Sequence, residues 1–192
     1  MRRALLGGTF DPPHVAHLVA AEAAYRQLGV DVVTFLPAGA PWQKAGSPVA
    51  AAGHRWEMTR LAVAGVAYFE ADDREVHRDG WTYTADTLAS FDAGDEIILV
   101  LGADAAAGLP TWHRYDEVLA RVVVAVAPRP GIDRAAVEGA VDAPVLWLEM
   151  PSLELSGTGI RRMASEGRSI RFLVREAVWE YVVRHGLYIA GG

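Results

Sequence analysis

The sequence predicts a doubly wound α/β protein, a parallel sheet with helices on both faces, and three observations lead there. Short runs of apolar, partly β-branched residues recur along the chain, and helix-patterned stretches separate them. The runs are apolar throughout rather than alternating, as strands covered on both sides must be. Glycine or proline closes most of them, so the chain turns where each strand ends. At 192 residues the chain fits a single domain with a sizeable core.

Taken in order, residues 2–7 read as a first buried strand. Residues 14–28 read as a helix, with Leu18, Ala21, Tyr25 and Leu28 on one stripe and Gly29 as its stop. Pro13, with its fixed φ and no N–H, suits the first turn of that helix. Residues 31–37 form a second strand, 38–53 a loop and 54–64 a helix. Residues 68–76 are a poorer strand because they contain acids. Asp79-Gly80 marks a turn, and a short helix opens near Thr82 and ends before Gly94. Residues 96–102 are the clearest central strand, followed by Pro110 to Tyr115 and a helix to Ala120. Strands at 121–127 and 144–150 follow, the first stopped by Pro128 and Pro130. Helices at 156–166 and 173–185 complete the chain, the last capped by Gly186; together they make a C-terminal helical part over about 156–190 of the one domain.

Composition narrows the function. Hydrophobic residues make up 52% and charged residues 22%, as in an ordinary folded protein. The net charge of −6 argues against a broad nucleic-acid surface but allows a local basic pocket for a small anion. There is no cysteine, which excludes disulfides, thiolate metal sites and a cysteine nucleophile. Met1-Arg2-Arg3 precedes an apolar run too short for a signal peptide, and no stretch reaches membrane-spanning length. The expectation is a cytoplasmic protein with no membrane partner; the sequence leaves its oligomeric state open, a homo-oligomer included.

In a doubly wound sheet, ligands bind at the carboxyl ends of the strands. Those ends carry Gly7-Gly8, Pro37-Ala38, Gly102-Ala103-Asp104 and Pro128. After the first strand, Gly7 and Gly8 leave no Cβ between the backbone and an approaching ligand. His14 and His17 are three apart and share a helix face near an end whose free N–H groups favour an anion. By themselves these residues also suit a plain turn or a metal pair, although His-x-x-His lacks the glutamate of a zincin and has no obvious third ligand. A second phosphate candidate lies at Ser156 to Arg161, where hydroxyls begin a helix and an arginine follows one turn in.

The segment Gly8-Thr9-Phe10-Asp11-Pro12-Pro13-His14-Val15-Ala16-His17 resembles the G-x-F-D-P-x-H-x-G-H signature of the nucleotidyltransferase superfamily related to class I tRNA synthetases, with Ala16 at a frequent glycine. Leu155 to Arg161 resembles that superfamily's late S-S/T-x-x-I-R signature, with Gly157 at a frequent hydroxyl residue. Pro41-Trp42-Gln43-Lys44 stands where the family often has Pro-His-Lys. Gly80 to Leu88 resembles the G-x-T-Y-T-x-D-T-L block of the bacterial nicotinate mononucleotide adenylyltransferases, and Thr111-Trp112-His113-Arg114-Tyr115 matches that family too.

The resemblance implies a Rossmann-like fold and adenylyl transfer from ATP to nicotinate mononucleotide, giving deamido-NAD and pyrophosphate. It implies Mg²⁺ carried by the ATP phosphates, with no metal ligand from protein side chains. His14, His17, Lys44 and Arg161 are then the catalytic candidates. Gly7, Gly8, Thr9, Phe10, Gly102, Asp104, Ser156, Thr158 and Ile160 are expected at ATP. Thr82, Tyr83, Thr84 and Trp112 are expected at the mononucleotide, since a pyridine ring stacks on an aromatic face and its carboxylate takes hydroxyls and amides. Two alternatives stand beside this reading: transfer to another phosphate acceptor such as phosphopantetheine or a polyol phosphate, and a non-catalytic nucleotide-binding regulator.

Overall fold

The computed structural model describes residues 1–41 and 49–189. Six strands form one sheet: β1 (Arg2–Gly8), β2 (Val32–Pro37), β3 (Phe69–Ala71), β4 (Glu96–Gly102), β5 (Val122–Ala127) and β6 (Val145–Trp147). Their order is β3-β2-β1-β4-β5-β6 and every pairing is parallel. The winding direction reverses between β1 and β4, so the crevice at their carboxyl ends is where this architecture opens a ligand site.

Strand residues alternate between two cores, one on each face. Ala4, Leu6, Val33, Phe35, Ile98 and Val100 bury against α1 (Val15–Leu28). Leu5, Ile97, Leu99, Leu101, Val124 and Val126 face the other side, under α3 (Thr84–Ala89), α4 (Ala103–Ala107), α5 (Tyr115–Arg121) and α6 (Arg134–Ala140). A third cluster joins α2 (Ala52–Val63), α7 (Gly157–Ser165) and α8 (Glu176–Arg184) through Met58, Ile160, Val178 and Val182. The fully buried Thr34 hydroxyl donates to Glu70 at 2.7 Å and accepts from Arg3 at 2.6 Å, so no polar group is stranded in β2 there.

Several boundaries differ from the sequence reading, each for a local reason. β3 and β6 are the sheet edges and last three residues each. Beyond β3, Asp72 instead accepts the Arg74 backbone N–H at 2.9 Å and turns the chain. α4 follows Gly102 directly, and α6 is capped by Asp133, which accepts the Ala135 N–H at 3.3 Å. Neither helix was expected: both are short and carry no long apolar stripe. α8 begins at Glu176 rather than 173, because Val174 bridges to Arg171 and Arg175 is extended as the N-cap. Pro13 lies outside α1 rather than in its first turn, since His14 is the N-cap. Among the described residues no helix is long and apolar enough to cross a membrane.

Candidate active site

β1, β4 and β5 end beside one another, and a cavity of about 590 Å³ opens there. That is the size of a nucleotide-scale pocket. Gly7, Gly8, Gly102 and Pro128, all at strand ends, line it. The motifs found in sequence as separate stretches therefore meet in one hollow.

The first wall is the loop from β1 into α1. His14 and His17 stack with ring centroids 3.7 Å apart. His17 stands at the third helical position and its Nδ1 accepts the backbone N–H of His14 at 3.1 Å. That is the bond a Glu or Gln makes in a capping box, here made by an imidazole. Phe10 is 2% exposed, packs on Phe35 and meets His17 in a T-shaped contact with ring centroids 4.9 Å apart. Its principal work is thus to back His17, although it borders the cavity, as does Thr9. Burial, then the Arg129 charge, lowers the His14 pKa to about 4. Burial, then His14, then Arg129, also lowers that of His17. Both rings are neutral at neutral pH, and the His14 Nδ1 is buried with no hydrogen-bond partner among the described residues.

The second wall is the start of α7. Ser156 is its N-cap and accepts the Gly159 N–H at 3.1 Å. Arg161 donates from Nη1 to the carbonyl of Asp11 at 2.7 Å and from Nη2 to Thr158 Oγ1 at 3.3 Å. This closeness explains Gly157: a Cβ there would lie 2.9 Å from the Asp11 carbonyl oxygen. The missing hydroxyl is the consequence of two backbones that touch. Ser156, Thr158 and Arg161 all line the cavity. Ile160 does not fit its expected place at ATP. Its side chain is 1% exposed in the α2–α7–α8 core, and its N–H is taken by the Ser156 carbonyl at 3.0 Å.

Between these walls stands a cation that the sequence reading missed. Arg129, two residues past the end of β5, lines the cavity and pairs through Nη1 with Asp104. Asp104, expected at ATP, is thus already engaged. The signal for Arg129 was available, since it follows Pro128 at a strand end already marked as ligand-facing, between two prolines.

The far wall holds Trp112, Tyr83 and Thr84. The Tyr83 and His113 rings lie 4.4 Å apart. Thr82 lines the cavity, yet its N–H and hydroxyl both donate to the Ala40 carbonyl, at 3.2 and 3.3 Å. It holds the loop after β2 rather than offering donors to a ligand. An acid is also present here. Glu75 is 7% exposed and accepts the Thr87 hydroxyl at 2.6 Å. Burial pushes its carboxyl above the usual range, opposed by Thr87 and Arg78. The Glu75 carbonyl abuts Gly39 so closely that any Cβ there would collide with it. Lys44 lies outside the described residues.

Beneath the pocket, Arg55 of α2 is 2% exposed and gathers four carbonyls. It donates to Ala50 at 2.9 Å, Thr9 at 3.0 Å, Gly39 at 2.6 Å and Ala38. A buried guanidinium with its hydrogens placed this way fixes the signature loop against the loop after β2. Nothing in its helical context distinguished it from a surface arginine in the sequence.

Among the described residues no three His, Asp or Glu side chains gather to hold a metal ion. The donors that face the cavity are imidazole, guanidinium, hydroxyl and backbone amide, which suit phosphate oxygens.

Known proteins share this organisation. Residues 5–163 match the family model described as cytidylyltransferase-like. A protein of Salinibacter ruber named as a nicotinate-nucleotide adenylyltransferase is 40% identical over 187 residues, covering 96% of each chain. One of that name from Dehalococcoides mccartyi is 35% identical, covering 98% of this chain and 97% of its own. The solved structure of Plasmodium falciparum nicotinic acid mononucleotide adenylyltransferase complexed with NaAD superimposes with a TM-score of 0.82 at 15% identity, covering 97% of both chains. At that identity the likeness is one of fold.

Proposed function

The chain belongs to the nicotinate-nucleotide adenylyltransferases, enzymes of adenylyl transfer in NAD biosynthesis, and from that premise we propose how its pocket joins ATP to nicotinate mononucleotide. The observation that carries the reading is the meeting of His14, His17, Arg129 and Arg161 on one cavity that Trp112 and Thr84 also line. The cationic and imidazole side suits a triphosphate. The aromatic side suits a pyridine ring.

The nucleophile is a phosphate oxygen of the mononucleotide, which attacks the α-phosphorus of ATP while pyrophosphate leaves. A phosphomonoester has a second pKa of about 6, so the attacking group is mostly dianionic at neutral pH and needs no general base. Catalysis then rests on alignment, worth up to ~7–11 kcal/mol, and on donors to the developing charge, ~2.7–4 kcal/mol for a well-placed one. With its Nδ1 occupied as an acceptor, neutral His17 carries its proton on Nε2 and presents a donor. Arg161 and Arg129 supply fixed positive charge, and the backbone at Gly8 and Thr9 borders the phosphates. Mg²⁺ would ride on the triphosphate oxygens and neutralise charge there, since among the described residues no three His, Asp or Glu side chains gather to hold it.

Pyrophosphate release tests the reading when ATP is offered with nicotinate mononucleotide, its amide, phosphopantetheine and glycerol phosphate. Nicotinate mononucleotide is expected to be the best acceptor. Preference for phosphopantetheine or the polyol phosphate, or no release with any acceptor, refutes the assignment.

A further inference from the structure

The C-terminal segment reaches the loop that borders this pocket. Tyr188, four residues beyond the end of α8, donates its hydroxyl to Asp11 Oδ1 at 2.6 Å. Asp11 belongs to the loop between β1 and α1, and its carboxylate is 1% exposed. A charge that deep must be met by donors. Oδ1 is met by Tyr188. Oδ2 is met by the Ala50 N–H at 3.3 Å and lies 3.4 Å from Arg161 Nη1.

We propose that Tyr188 is a positioning residue for nucleotide binding: its hydroxyl satisfies the Asp11 carboxylate so that the Arg161 guanidinium stays turned to the phosphates. The proposal rests on reading the cavity as an ATP site. Arg161 now spends one N–H on the Asp11 carbonyl and one on Thr158, and its contact with the carboxylate is long. Without the phenol, Oδ1 is a buried anionic oxygen that has lost its short bond. Among the described residues Arg161 is the cation in ion-pair range of Asp11, and a guanidinium drawn into a two-pronged grip on that carboxylate leaves the phosphates. The Tyr188 ring packs beside Met58, with its hydroxyl 3.7 Å from the sulfur, and a phenylalanine keeps that packing.

The test is titration of the full chain with ATP alone and, separately, with nicotinate mononucleotide alone, before and after Tyr188→Phe. Loss of one charge-assisted contact from Arg161 should weaken ATP about ten- to a hundredfold, while the mononucleotide binds as before. In Tyr188→Phe/Asp11→Asn the carboxylate that would capture Arg161 is gone, so ATP binding should recover relative to Tyr188→Phe. Unchanged ATP binding in Tyr188→Phe, equal weakening of both ligands, or a double variant weaker than the single one overturns the proposal. A parent chain that binds ATP but releases no pyrophosphate with any acceptor refutes the assigned reaction instead, and the ATP titration still judges Tyr188.

Discussion

His17 accepts the backbone N–H of His14 through Nδ1 at 3.1 Å, and this one bond decides which nitrogen of His17 faces a reactant. It ties the tautomer of a candidate catalytic ring to the N-terminus of α1, so ring and helix are set together. His17→Ala should lower turnover by roughly a hundred- to a thousandfold, the effect of removing one preorganised donor. The lost capping bond costs about 0.5–2 kcal/mol, too little to unfold the chain. Steady-state pyrophosphate release alongside thermal unfolding checks both. Near-normal turnover in a folded variant removes His17 from the chemistry.

Acid should destabilise the empty protein through the same pair. His14 titrates near 4 in the folded state, against an ordinary value of 6.5. The unfolded chain therefore binds more protons between those values, and stability falls as pH drops through that window. The shift corresponds to about 3 kcal/mol, fully lost below the folded value. Denaturant unfolding from pH 7 to 4 should show this loss, and His14→Gln should reduce its slope. Identical slopes in the two proteins contradict a buried neutral His14.

A triphosphate reverses that balance. Negative charge beside His14 favours its cationic form, so ATP binding should take up protons at pH 6–7. Calorimetry in two buffers of different ionisation enthalpy measures the uptake directly. Heats that do not depend on the buffer rule it out.

What the sequence revealed and what it hid divide along physical lines. β1, β4 and β5 were legible because a strand covered on both faces must be apolar throughout, and the glycines and prolines at their ends mark where ligand-facing loops begin. The edge strands β3 and β6 were read too long, since half-exposed residues carry no such signature. At the site, His14, His17 and Arg161 announced themselves by spacing near helix starts. Arg55 and Tyr188 did not. Each acts through a partner more than forty residues away in sequence, and only tertiary folding brings the groups together. Ile160 was misplaced because a helix carries a signature on one face while burying the residue next to it.

Trp112 offers a separable prediction for the other half of the pocket. It lines the cavity while its body packs against the core beneath α4 and α5. Trp112→Ala should raise the Michaelis constant for nicotinate mononucleotide by about ten- to a hundredfold, the scale of an aromatic stacking contact on a base, and leave that for ATP within a factor of a few. Equal effects on both substrates point to general loosening rather than stacking.

Arg129 is the sharpest case, because its substitution moves two observables in opposite directions. In the empty protein its charge depresses both histidines, and Asp104 partly offsets it. With ATP bound, the same charge faces phosphate. Arg129→Met should therefore raise the His14 pKa of the empty protein, read by nuclear magnetic resonance of the imidazole protons, because a repelling cation is gone. It should at the same time weaken ATP, and the loss should shrink as salt is added, since a half-exposed charge is screened at high ionic strength. A general disturbance of the fold would expose the buried ring, raise its pKa and weaken the mononucleotide as well. The expected pattern is a raised His14 pKa, weakened ATP and an unchanged mononucleotide affinity. An unaltered His14 pKa means that burial alone holds the ring neutral, and unaltered ATP affinity means that Arg129 serves only to pin Asp104 at the end of β4.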